Sequence, residues 1–218
     1  MDSALVDNLP ALKVFLDKAA NVQSQPPSLY IDLEGNDLSR NATLSLVTIF
    51  VEPHNKVYLI DVTTLRYNAF AAESPKGHTL KSILESPDII KLMELATRVF
   101  SKRCVNGLAK CIERDVTIDS QERSRWAQVK ANGRRLFDPA RGGSFDVFDK
   151  RPMASELQEY CKQDVTFMPH LHRLYRAELS DVWWQRIDDE TKARIVLSHS
   201  PGYNGTGRHM AFGPRSWQ

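Results

Sequence analysis

Hydrophobic residues recur along the chain with two different periods, which divide it into a strand-rich first part and a helical second part. Residues 4–21 carry leucines and a phenylalanine near helical spacing, which predicts an amphipathic opening helix. Three short apolar runs follow, and they predict strands at residues 29–33, 43–51 and 57–62. Because the connections between these runs are short and rich in turn-forming residues, the pattern predicts an antiparallel meander.

Helical spacing dominates the chain beyond residue 62. The pattern predicts a short helix at residues 79–84, a strand at 89–96 and helices at 106–114, 121–131, 153–179 and 181–197. A meander followed by mixed strands and helices predicts an α/β layer architecture. We expect one domain over residues 1–199, followed by an irregular tail at residues 200–218 that is rich in glycine and proline.

The composition is that of an ordinary globular protein. Of the 218 residues, 42% are hydrophobic and 26% are charged, which argues against a disordered or coiled-coil chain. The three cysteines, Cys104, Cys111 and Cys161, are too few and too scattered for a disulfide framework or a zinc site. We see no secretory signal and no apolar run long enough to span a membrane. We therefore expect an intracellular protein, cytoplasmic or nuclear, that is not secreted.

The net charge of +2 conceals an uneven distribution. Residues 1–97 carry 8 basic and 12 acidic side chains, whereas residues 98–151 carry 13 basic and 7 acidic ones. This distribution suggests a polyanionic partner and a separate carboxylate cluster that holds metal. Within the basic stretch, Arg134, Arg135 and Arg141 are the best candidates for binding nucleic acid, because they lie beside glycines on predicted loops. A solvated helical surface is the alternative for each of them.

Two carboxylates share one face of the first meander strand. Asp32 and Glu34 alternate with the apolar Ile31 and Leu33, so the two acids point to the same side. Neighbouring carboxylates repel each other unless a divalent cation lies between or beside them. The alternative is an acidic strand edge exposed to solvent, but the otherwise apolar strand favours a central position with both faces covered.

A second pair of polar residues lies on the helix predicted at 153–179. Tyr160 and Asp164 are four residues apart, which places the phenol and the carboxylate on one helix face. The alternative is a tyrosine packed at the edge of the core and an aspartate without a role. Together, the two pairs are what two-metal phosphodiester hydrolysis needs. Carboxylates hold two Mg²⁺ or Mn²⁺ ions about 3.5–4 Å apart, and a tyrosine hydroxyl orients the attacking water.

With both pairs in place, the sequence resembles the DEDDy-type 3′–5′ exonucleases, related to ribonuclease D and the Werner exonuclease domain, and especially fungal 3′–5′ exonuclease domain proteins. Asp32 and Glu34 match the first motif of that family, Tyr160 and Asp164 match the third, and the resemblance extends over nearly the whole chain. It implies a ribonuclease H-like fold, in which the meander is joined by parallel strands and covered by helices. It also implies a two-metal hydrolase that acts on RNA or single-stranded DNA and releases nucleoside monophosphates.

The second motif of the family has no counterpart in this chain. That motif is an aspartate near the start of a helix that follows a central parallel strand. Here, residues 86–91 run straight into residues 92–96, within the strand predicted at 89–96. A strand, a helix and their loops, about 25 residues, are absent, as a spliced or mis-predicted exon would leave them. Asp61, Asp88 and Glu94 are poorly placed to substitute. We expect residues 89–96 to occupy the vacated place beside residues 29–33, in a smaller sheet of marginal stability.

The resemblance assigns a role to each acidic residue. It implies that Asp32 is the ligand shared by both ions, that Glu34 and Asp164 hold the ion that activates water, and that Tyr160 orients this water. Because one motif is missing, we expect two ions in intact relatives but one here, and impaired hydrolysis. One alternative is a catalytically inactive pseudo-exonuclease that binds nucleic acid or a protein partner. The other is a truncated product without an independent function.

Overall fold

The computed structural model describes residues 1–22, 27–38, 43–86, 91–93, 106–205 and 207–214 of the chain. The described residues form two compact units. The first contains residues 1–22, 27–38, 43–86, 91–93 and 118–169, and the second contains residues 106–117, 170–205 and 207–214. The single domain expected over residues 1–199 stays a prediction.

The strands of the first unit form one mixed sheet. They are β1 (Asp2–Val6), β2 (Leu29–Asn36), β3 (Thr43–Val51), β4 (Lys56–Asp61) and β5 (Lys91–Met93). Across the sheet, the order is β1-β4-β3-β2-β5. β3 pairs antiparallel with both β2 and β4, which confirms the predicted meander. β1 lies parallel to β4, and β5 lies parallel to β2.

Helices make up most of the second half of the chain. Those that the structure describes are α1 (Leu9–Ala20), α2 (Val62–Leu65), α3 (Asn68–Ala71), α4 (Leu80–Glu85), α5 (Leu108–Asp115), α6 (Ser120–Phe137), α7 (Ser155–Thr166), α8 (Met168–Glu178) and α9 (Asp181–Ser198). Short 3-10 helices lie at Glu52–His54, Pro139–Arg141, Phe145–Phe148 and Arg208–Ala211. The last of these falls in the tail predicted as irregular. None of the described helices is both long and apolar enough to cross a membrane.

Three predicted boundaries are wrong, each for a local reason. Residues 4–6 belong to β1 instead of the opening helix, because they pair with β4 and because Asn8 caps α1 by accepting a hydrogen bond from the backbone N–H of Ala11 (3.0 Å). The helix predicted at 153–179 is divided into α7 and α8. Pro169 in the first turn of α8 has no backbone N–H to continue the hydrogen bonding of α7. The helix predicted at 121–131 continues to Phe137.

β5 lies where the sequence analysis placed this part of the chain. Its three residues pair in parallel with residues 29–31 of β2, the strand that carries Asp32 and Glu34. Five residues separate the end of α4 from the start of β5. The rest of the strand predicted at 89–96 lies outside the described residues, as do Asp88 and Glu94, the two acids weighed there as substitute ligands.

Both faces of the central strands are buried. On one face, alternate residues of β2 and β3, such as Ile31 and Ile49, pack with Leu12 and Phe15 of α1 in the main hydrophobic core. The opposite face is covered by α7, which contacts β2, β3 and β4. Because side chains alternate along a strand, Asp32 and Glu34 are directed to the face that α7 covers.

A buried ion pair anchors the segment that leads into α7. Asp61, at the end of β4, is 1% exposed. Arg151 donates from Nε to Oδ2 of Asp61 (2.5 Å) and from Nη2 to Oδ1 (2.6 Å), and Thr64 donates its backbone N–H and its hydroxyl (both 2.8 Å). Burial alone would raise the pKa of Asp61, but these hydrogen bonds outweigh it and hold the pKa below its usual range. Asp61 is therefore engaged in holding the fold together.

The second unit has its own buried contacts. Tyr175 of α8 is 1% exposed and donates its hydroxyl to Oδ2 of Asp115 at the end of α5 (2.8 Å). Cys111 and Ile112 of α5 are fully buried. Burial, followed by the hydrogen bond with Asp115, raises the pKa of Tyr175 above its ordinary value, so the phenol remains a donor at neutral pH.

Arg151→Met should destabilise the first unit by about 3 kcal/mol, because Asp61 would remain buried without its cation. The measurement is the midpoint of urea unfolding at pH 7. Lys81→Met is a matched control, because it removes a lysine from the exposed Lys81–Glu85 pair (4.0 Å), and it should shift the midpoint little.

The effect of Arg151→Met should also depend on pH. Because the folded pKa of Asp61 is depressed, its stabilisation is complete above about pH 4 and is lost as the pH falls further. The difference between wild type and Arg151→Met should therefore shrink in acid. If Arg151→Met shifts the midpoint of urea unfolding at pH 7 as little as Lys81→Met does, the role assigned to the Asp61–Arg151 pair is wrong.

Candidate active site

The end of β2 fixes the first pair of carboxylates. Asp32 and Glu34 lie in antiparallel register with β3, and the register shifts between Glu34 and Gly35. A Cβ added at Gly35 would lie 2.0 Å from the carbonyl oxygen of Thr43. Only glycine permits this close approach of the two backbones, so Gly35 lets the strand pairing continue directly after the two acids.

Helix α7 brings the second pair to the same place. The apolar stripe on this helix, which includes Leu157 and Cys161, is fully buried and holds the helix against the sheet. Tyr160 and Asp164 are also buried. Asp32, Glu34 and Asp164 each offer one carboxylate oxygen, and these three oxygens lie within 4.8 Å of one another. The structure therefore unites the three acids that the sequence analysis selected, which we call the carboxylate cluster.

Burial and neighbouring charges shift the pKa values of two residues at the cluster. Burial, followed by the charges of Asp32 and Asp164, raises the pKa of Glu34 well above its usual range. Burial also raises the pKa of Tyr160, and the charges of Asp164 and Glu34 add to the effect. Tyr160 therefore keeps its O–H at neutral pH and can donate or accept a hydrogen bond beside the cluster.

A lysine that the sequence analysis did not assign to the site lies against the cluster. The Nζ of Lys130 on α6 forms an ion pair with Oδ1 of Asp164, and the side chains of the two residues are only 11% and 6% exposed. The same Nζ lies 4.1 Å from the centre of the Tyr160 ring, within the range of a cation–π interaction. Lys130 thus contacts both members of the pair on α7.

The packing of α6 on α7 determines where Tyr160 lies. Gly133 faces the phenol ring, and a Cβ added there would lie 2.4 Å from Cδ2 of Tyr160. Phe137, one turn further along α6, meets the same ring edge-on at a centroid distance of 5.0 Å. Gln163 of α7 donates to the carbonyl oxygen of Trp126 on α6 (3.0 Å). Tyr160 is therefore held from several sides by α6.

The spacing of residues in the sequence indicates that Lys130 and Gly133 share one face of a helix. Trp126, Lys130, Gly133 and Phe137 follow one another at spacings of four, three and four residues, which is the spacing of one helix face. Trp126 and Gly133 are buried and Lys130 nearly so. By charge alone, Lys130 is one of 13 basic residues in the stretch 98–151, and only the helical spacing distinguishes it.

The arginines that the sequence predicts to bind nucleic acid do not lie on the expected loops. Arg134 and Arg135 lie in the last turn of α6, and Arg141 ends a 3-10 helix. All three side chains are exposed. Arg135 donates to Oδ1 of Asn132, and Nε of Arg141 lies 3.5 Å from Oδ2 of Asp138. Their role in binding nucleic acid stays a prediction.

The carboxylate cluster has the donor set of a site for a hard divalent cation. Mg²⁺ and Mn²⁺ prefer carboxylate oxygens, and the three oxygens come from two rigid elements, β2 and α7. Burial and, after it, the charges of Asp32 and Asp164 raise the pKa of Glu34, and a divalent cation would offset both. Asp32, Glu34 and Asp164 are therefore the residues that would hold a metal ion.

Comparison with known proteins adds evidence from structure alone. No protein-family model matches the chain, and no curated protein matches it in sequence. The structure does match solved ribonuclease H-like exonuclease structures. It matches that of Trypanosoma brucei RNase D in complex with the RNA U12 with a TM-score of 0.65 and 16% identity, over 99% of this chain and 77% of the other.

A second organism gives the same result. Escherichia coli RNase D, an exoribonuclease involved in structured RNA processing, matches with a TM-score of 0.54 and 18% identity. The match covers 92% of this chain and 52% of that one, so this chain spans about half the length of the bacterial enzyme. The expected fold class is confirmed: the chain has the ribonuclease H-like fold of the DEDDy 3′–5′ exonucleases. The solved structures that it matches include those of ribonuclease D from two organisms.

Gly133→Ala should disturb the site although alanine is the better helix former. The added methyl group would collide with the Tyr160 ring, so we expect a destabilisation of about 1–3 kcal/mol where propensity alone predicts a gain of about 1 kcal/mol. Urea unfolding measures the change. Ser124→Ala, on an exposed position of the same helix, is the control and should be neutral or slightly stabilising. A stabilising Gly133→Ala would show that α6 does not confine Tyr160.

Proposed function

We propose that this protein is a divalent-metal-dependent 3′–5′ exonuclease that acts on RNA or single-stranded DNA and releases nucleoside monophosphates. The observation that carries the proposal is the carboxylate cluster of Asp32, Glu34 and Asp164, with Tyr160 beside it. The cluster lies in a chain with the fold of ribonuclease D. Fold or cluster alone would be weak support, because one fold serves many functions and acidic clusters are common.

The proposal gives each residue of the site a task. Asp32, Glu34 and Asp164 supply oxygen ligands from rigid elements. By the resemblance, Asp32 is the ligand that intact relatives share between two ions, and Glu34 and Asp164 lie on the side of the attacking water. A bound Mg²⁺ or Mn²⁺ would lower the pKa of a water molecule and stabilise the negative charge that develops on the phosphate oxygens. Tyr160 remains protonated, so its hydroxyl is suited to orient the attacking water.

RNA is the substrate that the comparisons favour. The Trypanosoma brucei RNase D structure contains RNA, and the Escherichia coli enzyme is an exoribonuclease. In this chain, Arg134, Arg135 and Arg141 lie exposed at the end of α6 and in the 3-10 helix that follows, where they would attract a phosphate backbone. Single-stranded DNA shares this backbone, so it is the second substrate to be tested.

The missing second motif makes binding without cleavage the second candidate function. An incomplete set of ligands would leave a second ion poorly held and would lower the rate by orders of magnitude. A pseudo-exonuclease of this kind would retain affinity for single-stranded nucleic acid. The two functions are separated by measuring cleavage and affinity on the same oligonucleotide.

The purified chain should shorten a 5′-labelled RNA oligonucleotide from its 3′ end with Mn²⁺, and Asp32→Ala should abolish the shortening. Tyr160→Phe should lower the rate tenfold or more with little effect on metal affinity, because it removes only the hydroxyl that orients water. Denaturing gels measure the ladder, and a 3′-phosphorylated oligonucleotide tests its direction. Binding of the oligonucleotide without any ladder would favour the pseudo-exonuclease.

Residual activity should depend on Mn²⁺ more than on Mg²⁺. Mg²⁺ demands near-ideal octahedral geometry and binds poorly to an incomplete set of ligands, whereas Mn²⁺ binds such oxygen sites more tightly. The measurement is the initial rate of cleavage at equal concentrations of the two ions, over about 0.1 to 10 mM. From the order of metal affinities, we expect the rate with Mn²⁺ to be roughly tenfold higher than the rate with Mg²⁺. Equal or higher rates with Mg²⁺ would argue that the site is complete.

A further inference from the structure

Lys130 places a fixed positive charge inside the proposed metal site. It forms an ion pair with Asp164, one of the three carboxylates, and its side chain is 11% exposed. Burying a lysine is costly unless a partner compensates for the lost hydration. Asp164 provides the opposite charge, and the face of the Tyr160 ring, 4.1 Å from Nζ, provides a second favourable contact. The contacts of Lys130 therefore hold its ammonium group at the cluster.

The charges of the site favour one divalent ion beside this lysine. When Asp32, Glu34 and Asp164 all act as ligands, they contribute three negative charges, and Lys130 contributes one positive charge. One divalent cation then makes the site neutral. A second divalent cation would leave an excess of two positive charges in a largely buried place, which a low local dielectric makes unfavourable.

We infer that Lys130 is an internal counter-ion that takes the place of a second divalent cation, so that the site binds a single metal ion. This inference rests on the proposed function in one respect, since it takes the three carboxylates as metal ligands. It adds the residue that sets the metal stoichiometry. Lys130 is in this account a positioning residue: it holds Asp164 and competes with metal for the same carboxylate.

A metal-binding titration tests the inference. The full chain and its Lys130→Met variant would be titrated with MnCl₂, and free Mn²⁺ would be followed by electron paramagnetic resonance, which needs no substrate and no turnover. Wild type should bind one ion at the cluster. Lys130→Met should bind Mn²⁺ at least tenfold more tightly, because the ion no longer displaces an ammonium group from Asp164.

The chain offers a matched control on the helix that carries Asp164. Lys162 of α7 forms an ion pair with Glu159 (2.7 Å), outside the carboxylate cluster. Lys162→Met makes the same change in charge and side-chain volume, and it should leave Mn²⁺ affinity within about twofold of wild type, since exposed ion pairs contribute little. Asp32→Ala is the second control and should remove the binding. Thermal unfolding checks that each variant is folded, and Mn²⁺ should raise the melting temperature of Lys130→Met more than that of wild type.

The outcomes separate this inference from the proposed function. Two ions in the wild-type cluster, or an affinity of Lys130→Met equal to or below that of wild type, would overturn the role of Lys130. If Lys130→Met does not fold, Lys130→Gln, which removes the charge and keeps a polar side chain, takes its place in the same titration, and two ions at the wild-type cluster contradict the inference in either case. The proposed function is judged on the same preparations by cleavage of the RNA oligonucleotide in wild type and its loss in Asp32→Ala. Cleavage can therefore be found while the inference about Lys130 fails.

Discussion

The convergence of three carboxylates in a largely buried place is the constraint on which the rest of the structure depends. Burial and, after it, the charges of Asp32 and Asp164 raise the pKa of Glu34, so the fold must hold the acids together against the loss of hydration and their mutual repulsion. It does so with apolar packing. The buried stripe of α7 rests on the sheet, and the alternation of β2 turns Asp32 and Glu34 toward that helix. The energy that assembles the cluster thus comes from residues that take no part in chemistry.

Supports outside the cluster fix its geometry. Gly35 lets β2 and β3 approach closely just past Glu34, and Gly133 makes room for the Tyr160 ring. The ion pair of Asp61 with Arg151 connects the end of β4 to the segment before α7. A change at any of these positions would move an acid or the phenol without replacing it. Such supporting contacts are what a precise metal site requires.

Local patterns in the sequence were sufficient for the meander and for both polar pairs. The apolar runs of β2, β3 and β4 and the four-residue spacing of Tyr160 and Asp164 report directly on strand and helix faces. β1 was missed because the strand is short and only partly apolar. Its pairing with β4 also joins segments more than fifty residues apart in the sequence. Lys130 was missed for a different reason. The spacing of Trp126, Lys130, Gly133 and Phe137 indicates one face of α6, but the contact of Lys130 with Asp164 depends on how α6 packs on α7.

β5 pairs with β2, the strand that carries two of the three acids of the carboxylate cluster. The parallel pairing with residues 29–31 supports the strand that carries Asp32, even though the segment with the second motif has no counterpart in the sequence. On that side of β2, the last strand in the order of the sheet is the short β5, which follows α4 after five residues. The fold keeps the first and third motifs together, while Lys130 contributes positive charge at the carboxylates.

The central claim is that Asp32, Glu34 and Asp164 together bind a divalent cation. A crystal structure of the chain grown with MnCl₂, with anomalous diffraction recorded at the manganese absorption edge, tests it most directly. The account predicts an anomalous peak bonded to oxygens of all three carboxylates, with the phenol of Tyr160 beside it. A well-ordered site with no anomalous peak, in which Lys130 alone neutralises Asp164, would contradict the claim.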